Sequence, residues 1–318
     1  MAKNRDYIEE ILSIQSRNRY HSHYLSMITR LENLEKLFTN WDKGNNELLR
    51  YFPIGLIACI EGYYSIVIKE LIDFGSPFYE NISKLKSVQQ IDFEIFKAIQ
   101  QKTISLGDFV AHLLPINNLG DINTHLSILT GKDYLEELKS VYDRFEVEVL
   151  KKEKKNIIDD ASVIYQGINK TFELRHIFAH EIADTYELNS ETIEVCFRSV
   201  KSLIKATSEF ISELLNPNAP LTQPEMNEQS GKDLANAIAA LEKCEVDLKS
   251  LLTENHIKKF SESQEYWKEL YKLDSEFQAD IVCEGGTIWP TIYNSSATSF
   301  VYKRIEYLEE TIEVLKNF

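Results

Sequence analysis

The segment that most constrains the fold is 54–73 (IGLIACIEGYYSIVIKELID), which is apolar on nearly every side. A surface helix would have one polar face, so this composition is typical of a helix at the centre of a bundle. The turn Gly75-Ser76-Pro77 should end this helix. Only 11 glycines and 7 prolines occur in 318 residues, which leaves few helix breakers. These features predict an all-α fold.

Two domains are expected from the length and from one break in the apolar pattern. A chain of 318 residues is long for a single helical core. The segment 216–232 contains three prolines and lacks apolar periodicity, which indicates a linker. We therefore predict a helical bundle over 1–215, a linker over 216–232, and a small helical hairpin or three-helix domain over 233–318.

Apolar residues recur at helical spacing on both sides of this linker. In the first domain they predict helices over 25–38, 90–101, 133–150, 158–182 and 191–215, the last with Ser190 as its N-cap. The basic run 151–155 (KKEKK) is interpreted as a solvated helix surface. In the second domain the pattern predicts three stripes that form a core: Leu234, Ile238, Leu241, Leu248 and Leu252; Phe260, Trp267, Leu270, Tyr271 and Phe277; Phe300, Ile305, Leu308, Ile312 and Leu315.

The formal net charge of −15 restricts the possible functions. An acidic protein repels nucleic acid at long range, which argues against a coating or storage role. It still allows an enzyme that meets RNA briefly in a local basic pocket. The four scattered cysteines are interpreted as buried free thiols. The N-terminus lacks an apolar signal and no segment is interpreted as membrane-spanning, so we expect a cytoplasmic protein with no membrane partner.

The stretch 173–181 (ELRHIFAHE) places an arginine and two histidines close together on one predicted helix. It resembles the signature of the HEPN superfamily (higher eukaryotes and prokaryotes nucleotide-binding domains), in which an Arg, a polar residue, a spacer and a His lie on the penultimate helix of a bundle. Arg175, His176 and His180 match this signature. The resemblance implies a metal-independent endoribonuclease that leaves 2′,3′-cyclic phosphate ends and acts as a toxin or antiphage-defence effector.

The resemblance also implies a role for each residue and an assembly. His180 would activate the ribose 2′-OH or protonate the leaving 5′-oxygen, while Arg175 would stabilise charge on the phosphorus. His176 would orient the substrate or the neighbouring His. HEPN nucleases dimerise through this helix, which implies a homodimer whose two motifs line one cleft, with the small Ala179 permitting close approach. No cofactor and no metal are expected.

Elementary geometry and acid–base chemistry are consistent with these roles. His176 and His180 are an i,i+4 pair on one helix face, while Arg175 lies about 140° around the helix from His180. Histidine has an unperturbed pKa near 6.5, which suits it to proton transfer at neutral pH. Glu61 lies within the apolar helix, where an unpaired carboxylate is costly. It either pairs with Arg175 and orients it, or belongs to a structural ion pair or a partly solvated position.

Three other interpretations of the motif stay open. The three side chains could form a polar patch without chemistry, or the domain could be a catalytically inactive HEPN module that binds a nucleotide or a protein. Alternatively, His176, His180 and Glu181 could bind a metal. The order is HxxxH rather than HExxH, and no third His or Cys lies nearby in sequence, which disfavours the metal.

The second domain is similar to the lysozyme inhibitor LprI-like domain. The matching positions are Asp247, Leu248, Gln264, Trp267, Gly285, Gly286, Arg304 and Leu308. The disulfides of secreted members are largely missing here, which favours a sensor or regulatory module that restrains or triggers the nuclease. The possible partners are an antitoxin or a phage-derived trigger. The Gly285-Gly286 loop is expected to fold back on the Trp267 stripe together with Trp289 and Pro290.

Overall fold

The computed structural model describes residues 7–17, 23–42, 45–85, 93–183 and 185–317. Over these ranges the chain is helical and contains no strand, only an isolated antiparallel bridge between Tyr142 and Asn156. The all-α prediction is therefore confirmed. The helices are α1 Tyr7–Arg17, α2 His23–Thr39, α3 Asn46–Phe74, α4 Phe93–Gln100, α5 Leu106–Leu113, α6 Leu119–Thr130, α7 Tyr134–Leu138, α8 Ala161–His180, α9 Ser190–Leu215, α10 Gln223–Lys249, α11 Glu254–Cys283 and α12 Trp289–Lys316.

The chain divides into two compact units, Met1–Asn218 and Ala219–Phe318, called here the first and second unit. Helix α3 is the centre of the first unit, since α2, α5, α8 and α9 all pack against it. Thirteen of its 29 residues are buried. The side chain of Asn45 caps its start by accepting a hydrogen bond from the Leu48 amide. It ends at Phe74 and is capped by Gly75, whose φ of 102° favours glycine.

Helix α3 also corrects the expectation that no segment could span a membrane. Among the described residues it is the one helix that is long and apolar enough to do so. This is weak evidence for a membrane, because the core helix of a soluble protein passes the same test. More than half of its most apolar window, 56%, is buried inside the protein. Packing within the first unit thus accounts for its composition.

A buried group of hydroxyls joins α3, α7 and α9. Tyr64 Oη lies 2.8 Å from Tyr134 Oη and 2.9 Å from Thr207 Oγ1. Thr207 donates in turn to the carbonyl of Leu203. Burial raises the pKa of both tyrosines well above the ordinary value. Each hydroxyl of this group of three therefore has a partner, as a closely packed core requires.

Helix α8 carries the motif and is fixed by close packing on α9. Asp160 caps its start by accepting from the Val163 amide. A Cβ placed on Gly167 would lie 2.1 Å from Ser199 Oγ, so only glycine allows the two helices to approach this closely. The predicted helices over 25–38, 90–101, 158–182 and 191–215 correspond to α2, α4, α8 and α9, with residues 90–92 outside the described ranges.

Three local predictions in the first unit are wrong. The single helix expected over 133–150 is instead the short α7 followed by a π-helical turn at Phe145–Val149. The chain is interrupted because Asp143 starts the new turn, accepting from the Glu146 amide at 2.8 Å. The run 151–155 is exposed but lies outside any helix. The N-cap of α9 is Asn189, whose side chain accepts from the Thr192 amide, and not Ser190.

The second unit consists of α10, α11 and α12, in which α12 packs against both other helices. Its start corrects the predicted linker over 216–232, because residues 223–232 already belong to α10. Thr222 and Glu225 form a capping box, and a proline lies in the first turn, where its missing N–H costs nothing. The third proline of the segment therefore begins a helix.

The predicted core of the second unit needs a correction on α11. Leu270 and Phe277 are 56% and 63% exposed, although both were assigned to the inward stripe. The buried residues of α11 are Gln264, Tyr271, Ser275 and Ala279. Apolar residues occur on two faces of this helix, so periodicity alone could not tell which face packs.

The turn between α11 and α12 is held by Trp289. Its indole ring stacks on Tyr293 with centroids 5.1 Å apart, and Nε1 donates to Asp280 Oδ1 at 2.7 Å. Gly285 in this turn adopts a φ of 69°, which favours glycine. The hydrogen bond to Asp280 thus stabilises the turn. The Trp267 ring contacts Tyr271 and the Arg304 guanidinium instead.

Candidate active site on the last turns of α8

The motif occupies the C-terminal end of α8, where the buried face of the helix gives way to solvent. Leu174 is fully buried and anchors this end in the core of the first unit. The helix ends at His180, and the Glu181 amide still donates to the Ile177 carbonyl. Arg175, His176 and His180 are therefore positioned by a helix whose opposite side is packed.

Arg175 is held by Glu61 of α3. Its Nη2 atom lies 3.5 Å from Glu61 Oε1, and the two side chains are 36% and 41% exposed. Of the alternatives given for Glu61, the structure thus has the pair with Arg175 at a partly solvated position. Partial burial raises the pKa of Glu61, and the Arg175 guanidinium offsets part of this rise. A single long contact leaves the other N–H groups of the guanidinium able to bind a phosphate.

His176 and His180 form a second pair. Their ring centroids are 5.3 Å apart with the planes tilted by 54°, and both residues are exposed. Two imidazoles one helical turn apart can bind neighbouring oxygens of one phosphodiester or exchange a proton through water. The small Ala179 between them is also exposed.

The two pairs are separate within one chain. Arg175 reaches α3, whereas the histidines lie on the solvent side of α8, about 100° and 140° around the helix. Among the residues that the structure describes, no hydrogen bond or ion pair connects the two pairs. Convergence of Arg175 and His180 on one phosphate therefore requires rotation of the arginine side chain or a second copy of the motif.

Sequence reasoning missed Arg50, which lies beside the end of the motif. It is on the first turns of α3, and its guanidinium lies 5.8 Å from the centroid of the Phe178 ring. Small clefts of 190 and 480 Å³ adjoin it, lined by residues of α3 and of the segment after α8. The signal was hidden because α3 begins at Asn46, eight residues before the predicted segment 54–73.

Other candidate groups do not add to this site. Over the described residues, no set of three or more His, Cys, Asp and Glu side chains gathers where it could hold a metal ion. Glu181 is exposed next to His180. A cavity of 1390 Å³ between α2 and α9 is lined by other residues, among them Glu35, Arg198 and Lys201.

No family model, no curated protein and no solved structure matches the chain.

Proposed function

We propose that the first unit is a metal-independent endoribonuclease of the HEPN type that acts in the cytoplasm as a toxin or antiphage-defence effector. The observation that carries the proposal is the arrangement at the end of α8. Two exposed imidazoles lie 5.3 Å apart, and a partly exposed guanidinium that contacts a carboxylate lies on another side of the same helix end. This set contains a base, an acid and a cation, which are the groups that RNA transesterification needs.

The reaction follows from these groups. His180 accepts the proton of the ribose 2′-OH as its oxygen attacks the phosphorus, or returns a proton to the departing 5′-oxygen. Arg175 donates hydrogen bonds to the non-bridging oxygens as negative charge develops on them. His176 orients the phosphate or supplies the second proton transfer. The products are a 2′,3′-cyclic phosphate and a free 5′-hydroxyl.

A homodimer through α8 explains how separate pairs could act together. Around a twofold axis, the histidines of one subunit can face the arginine of the other, and the small Ala179 allows the helices to approach. Two motifs also bring extra cations to one cleft, which an RNA must enter against a net charge of −15 per chain.

The decisive assay is RNA cleavage by the full chain in the presence of a chelator. We expect wild type to cut a mixed-sequence RNA and leave cyclic phosphate ends, and to leave the 2′-deoxy version intact. His180→Ala should reduce the rate by about 100-fold or more, the usual loss for a general acid or base. His256→Ala removes another exposed helical histidine, in the second unit, and should cut normally.

Equal cleavage by wild type and His180→Ala would exclude the role proposed for His180, and no cleavage by wild type would favour an inactive HEPN binding module. Loss of cleavage on chelation alone would favour a metal site.

Mixing two inactive variants tests the shared site. His180→Ala retains its arginine and Arg175→Ala retains its histidines, so a mixed dimer contains one complete site if the pairs cooperate between subunits. Random mixing should restore roughly a quarter of wild-type activity, since half of the dimers carry one of two sites. No recovery, with dimers shown to exchange, would place the complete site within one chain.

We also propose that the second unit regulates the first. A truncation must end before Ala219, because a cut at 232 would divide α10. Removing 219–318 should change both the rate of RNA cleavage and the inhibition of host growth on expression. Identical activity of the truncated and full chains would reject regulation while leaving the nuclease proposal intact.

A further inference from the structure

Helix α11 exposes a continuous row of large apolar side chains, called here the outer stripe. Successive members are four, three, four and four residues apart, so at about 100° per residue they fall within one narrow face. The row extends over four turns. Its members and their exposed fractions are Tyr266 68%, Leu270 56%, Leu273 63%, Phe277 63% and Ile281 68%.

The outer stripe lies opposite the face with which α11 packs. The packed face carries the buried Gln264, Tyr271, Ser275 and Ala279, with the partly buried rings of Phe260 and Trp267 beside them. Single exposed apolar residues are ordinary, but a contiguous row of five on a helix marks a binding surface. Helix α11 therefore has large apolar side chains on two faces, one packed in the second unit and the other exposed to solvent.

The charges beside the outer stripe are negative. Glu262, Glu269 and Glu276 lie along one border, and Asp274 lies along the other. The two lysines in this part of α11 are on the far side of the helix, where Lys268 Nζ lies 3.2 Å from Glu245 Oε1 of α10. The row is therefore an apolar seam between carboxylate borders.

We propose that the outer stripe binds an amphipathic helix of another protein whose apolar face is bordered by lysine or arginine. Such a helix would fill the seam with its apolar residues and pair its cations with Glu269 and Glu276. A second copy of this chain does not fit, because carboxylates would face carboxylates in either orientation of two α11 helices. An anionic membrane is disfavoured for the same reason. This inference is independent of the ribonuclease proposal.

The test uses the full chain and two synthetic helical peptides of about 21 residues, which span more than the four turns of the row. Both peptides carry leucine at the same seam positions, but one is bordered by lysine and the other by glutamate. We expect the lysine-bordered peptide to bind and the glutamate-bordered one not to. The double variant Leu273→Ser/Phe277→Ser should weaken binding by at least 10-fold, and Val246→Ser, which alters an exposed apolar residue of α10, should not.

A charge-reversed variant makes the test sharper. Glu269→Lys/Glu276→Lys should exchange the preference, so that the glutamate-bordered peptide binds and the lysine-bordered one does not. Circular dichroism and thermal melting should be the same for all variants, since every substituted side chain is exposed.

Four results would overturn the proposal. The first is equal binding of both peptides or of neither. The second is an altered oligomeric state of Leu273→Ser/Phe277→Ser in sedimentation, because the row would then be an interface between copies. The third is binding to phosphatidylcholine vesicles by wild type that is lost in that variant. The fourth is altered hydrogen exchange of the first unit in that variant, because the same chain would then be the occupant.

Discussion

Helices α3 and α11 have nearly the same length, yet they use their apolar residues in opposite ways. Thirteen of the 29 residues of α3 are buried, whereas only four of the 30 residues of α11 are. The buried members of α3 are almost all large and apolar, but those of α11 include Gln264, Ser275 and Ala279. The difference teaches that the apolar content of a helix does not say how much of it is packed.

The contrast has a consequence for what each unit can do. Burying apolar surface stabilises by about 25 cal/mol per Å², so the first unit has the larger reserve of stability. The nuclease proposed for the first unit needs its reacting groups held in place, and α8 is packed on that larger core. The second unit has a thin core and a polar layer, which suits a surface that adapts to a partner.

The largest expected effect comes from removing one buried leucine in each unit. Leu56 and Leu308 are 0% and 1% exposed, so Leu56→Ala and Leu308→Ala should each cost about 2–5 kcal/mol. We expect the second unit to unfold at room temperature after its substitution and the first unit to remain folded after its own. Urea titration can follow Trp41 in the first unit and Trp267 in the second. The comparison would be contradicted if the first unit unfolded after Leu56→Ala while the second remained folded after Leu308→Ala.

The next largest effect is expected at alkaline pH, where the free energy of unfolding should differ between the two units. Burial raises the pKa of Tyr64 and Tyr134, and the pKa of Tyr165 is raised to about 12, all in the first unit. Above about pH 10, where an unfolded tyrosine ionises, the unfolded state binds fewer protons than the folded one. The free energy of unfolding therefore falls as pH rises. In the second unit, burial raises the pKa of Tyr271.

The first unit should consequently lose stability more steeply than the second above about pH 10. Tyr64→Phe should reduce that slope by up to about 1.4 kcal/mol per pH unit, because one tyrosine no longer titrates. Urea titrations at several alkaline pH values, read separately for each unit, would measure both slopes. Equal slopes for the two units would show that the buried hydroxyls of Tyr64 and Tyr134 do not resist ionisation.

A smaller effect is expected from the polar layer of the second unit. Gln264 is 3% exposed, donates to Glu245 Oε1 at 2.9 Å and accepts from Arg304 Nε at 2.7 Å. Gln264→Leu keeps the size but removes both bonds, which should cost about 1–3 kcal/mol. Gln278→Leu changes an exposed glutamine of the same helix and serves as the control. A stabilised Gln264→Leu would mean that the layer is retained for a reason other than stability.

Much of the first unit could be predicted from the sequence, because its signals are local and agree with one another. The segment 54–73 is apolar on all sides, so it had to be central whichever way it turned. For Glu61 the sequence left two alternatives, pairing with Arg175 or else a structural ion pair or a partly solvated position, because a carboxylate inside such a helix is costly without a partner or water. Arg50 was missed because the ends of helices are set by capping and by single side-chain bonds, which apolar periodicity does not report.

The second unit was harder to predict for a physical reason. Helix α11 has apolar residues on two faces. Leu270 is exposed, whereas its sequence neighbour Tyr271 is buried. Which face packs depends on the small residues Ser275 and Ala279 and on the Gln264 bonds, which carry little hydrophobic signal. The start of α10 was hidden similarly, because a proline in the first turn of a helix looks like a proline in a linker.

The smallest expected effect tests the outer stripe as a free surface, with two leucines of the same unit. Leu273 is 63% exposed and Leu248 is 2% exposed. Leu273→Ser should change the free energy of unfolding by less than about 0.5 kcal/mol, because its side chain contacts water in the folded state as well. Leu248→Ser should cost about 3 kcal/mol or more, because it leaves a cavity and buries a hydroxyl. Thermal unfolding of the two variants at several protein concentrations measures this difference. If Leu273→Ser proved as costly as Leu248→Ser, the stripe would already be covered in solution, and α11 would resemble α3 after all. A large cost that vanished on dilution would identify a second copy as the cover, and a cost independent of concentration would identify the same chain.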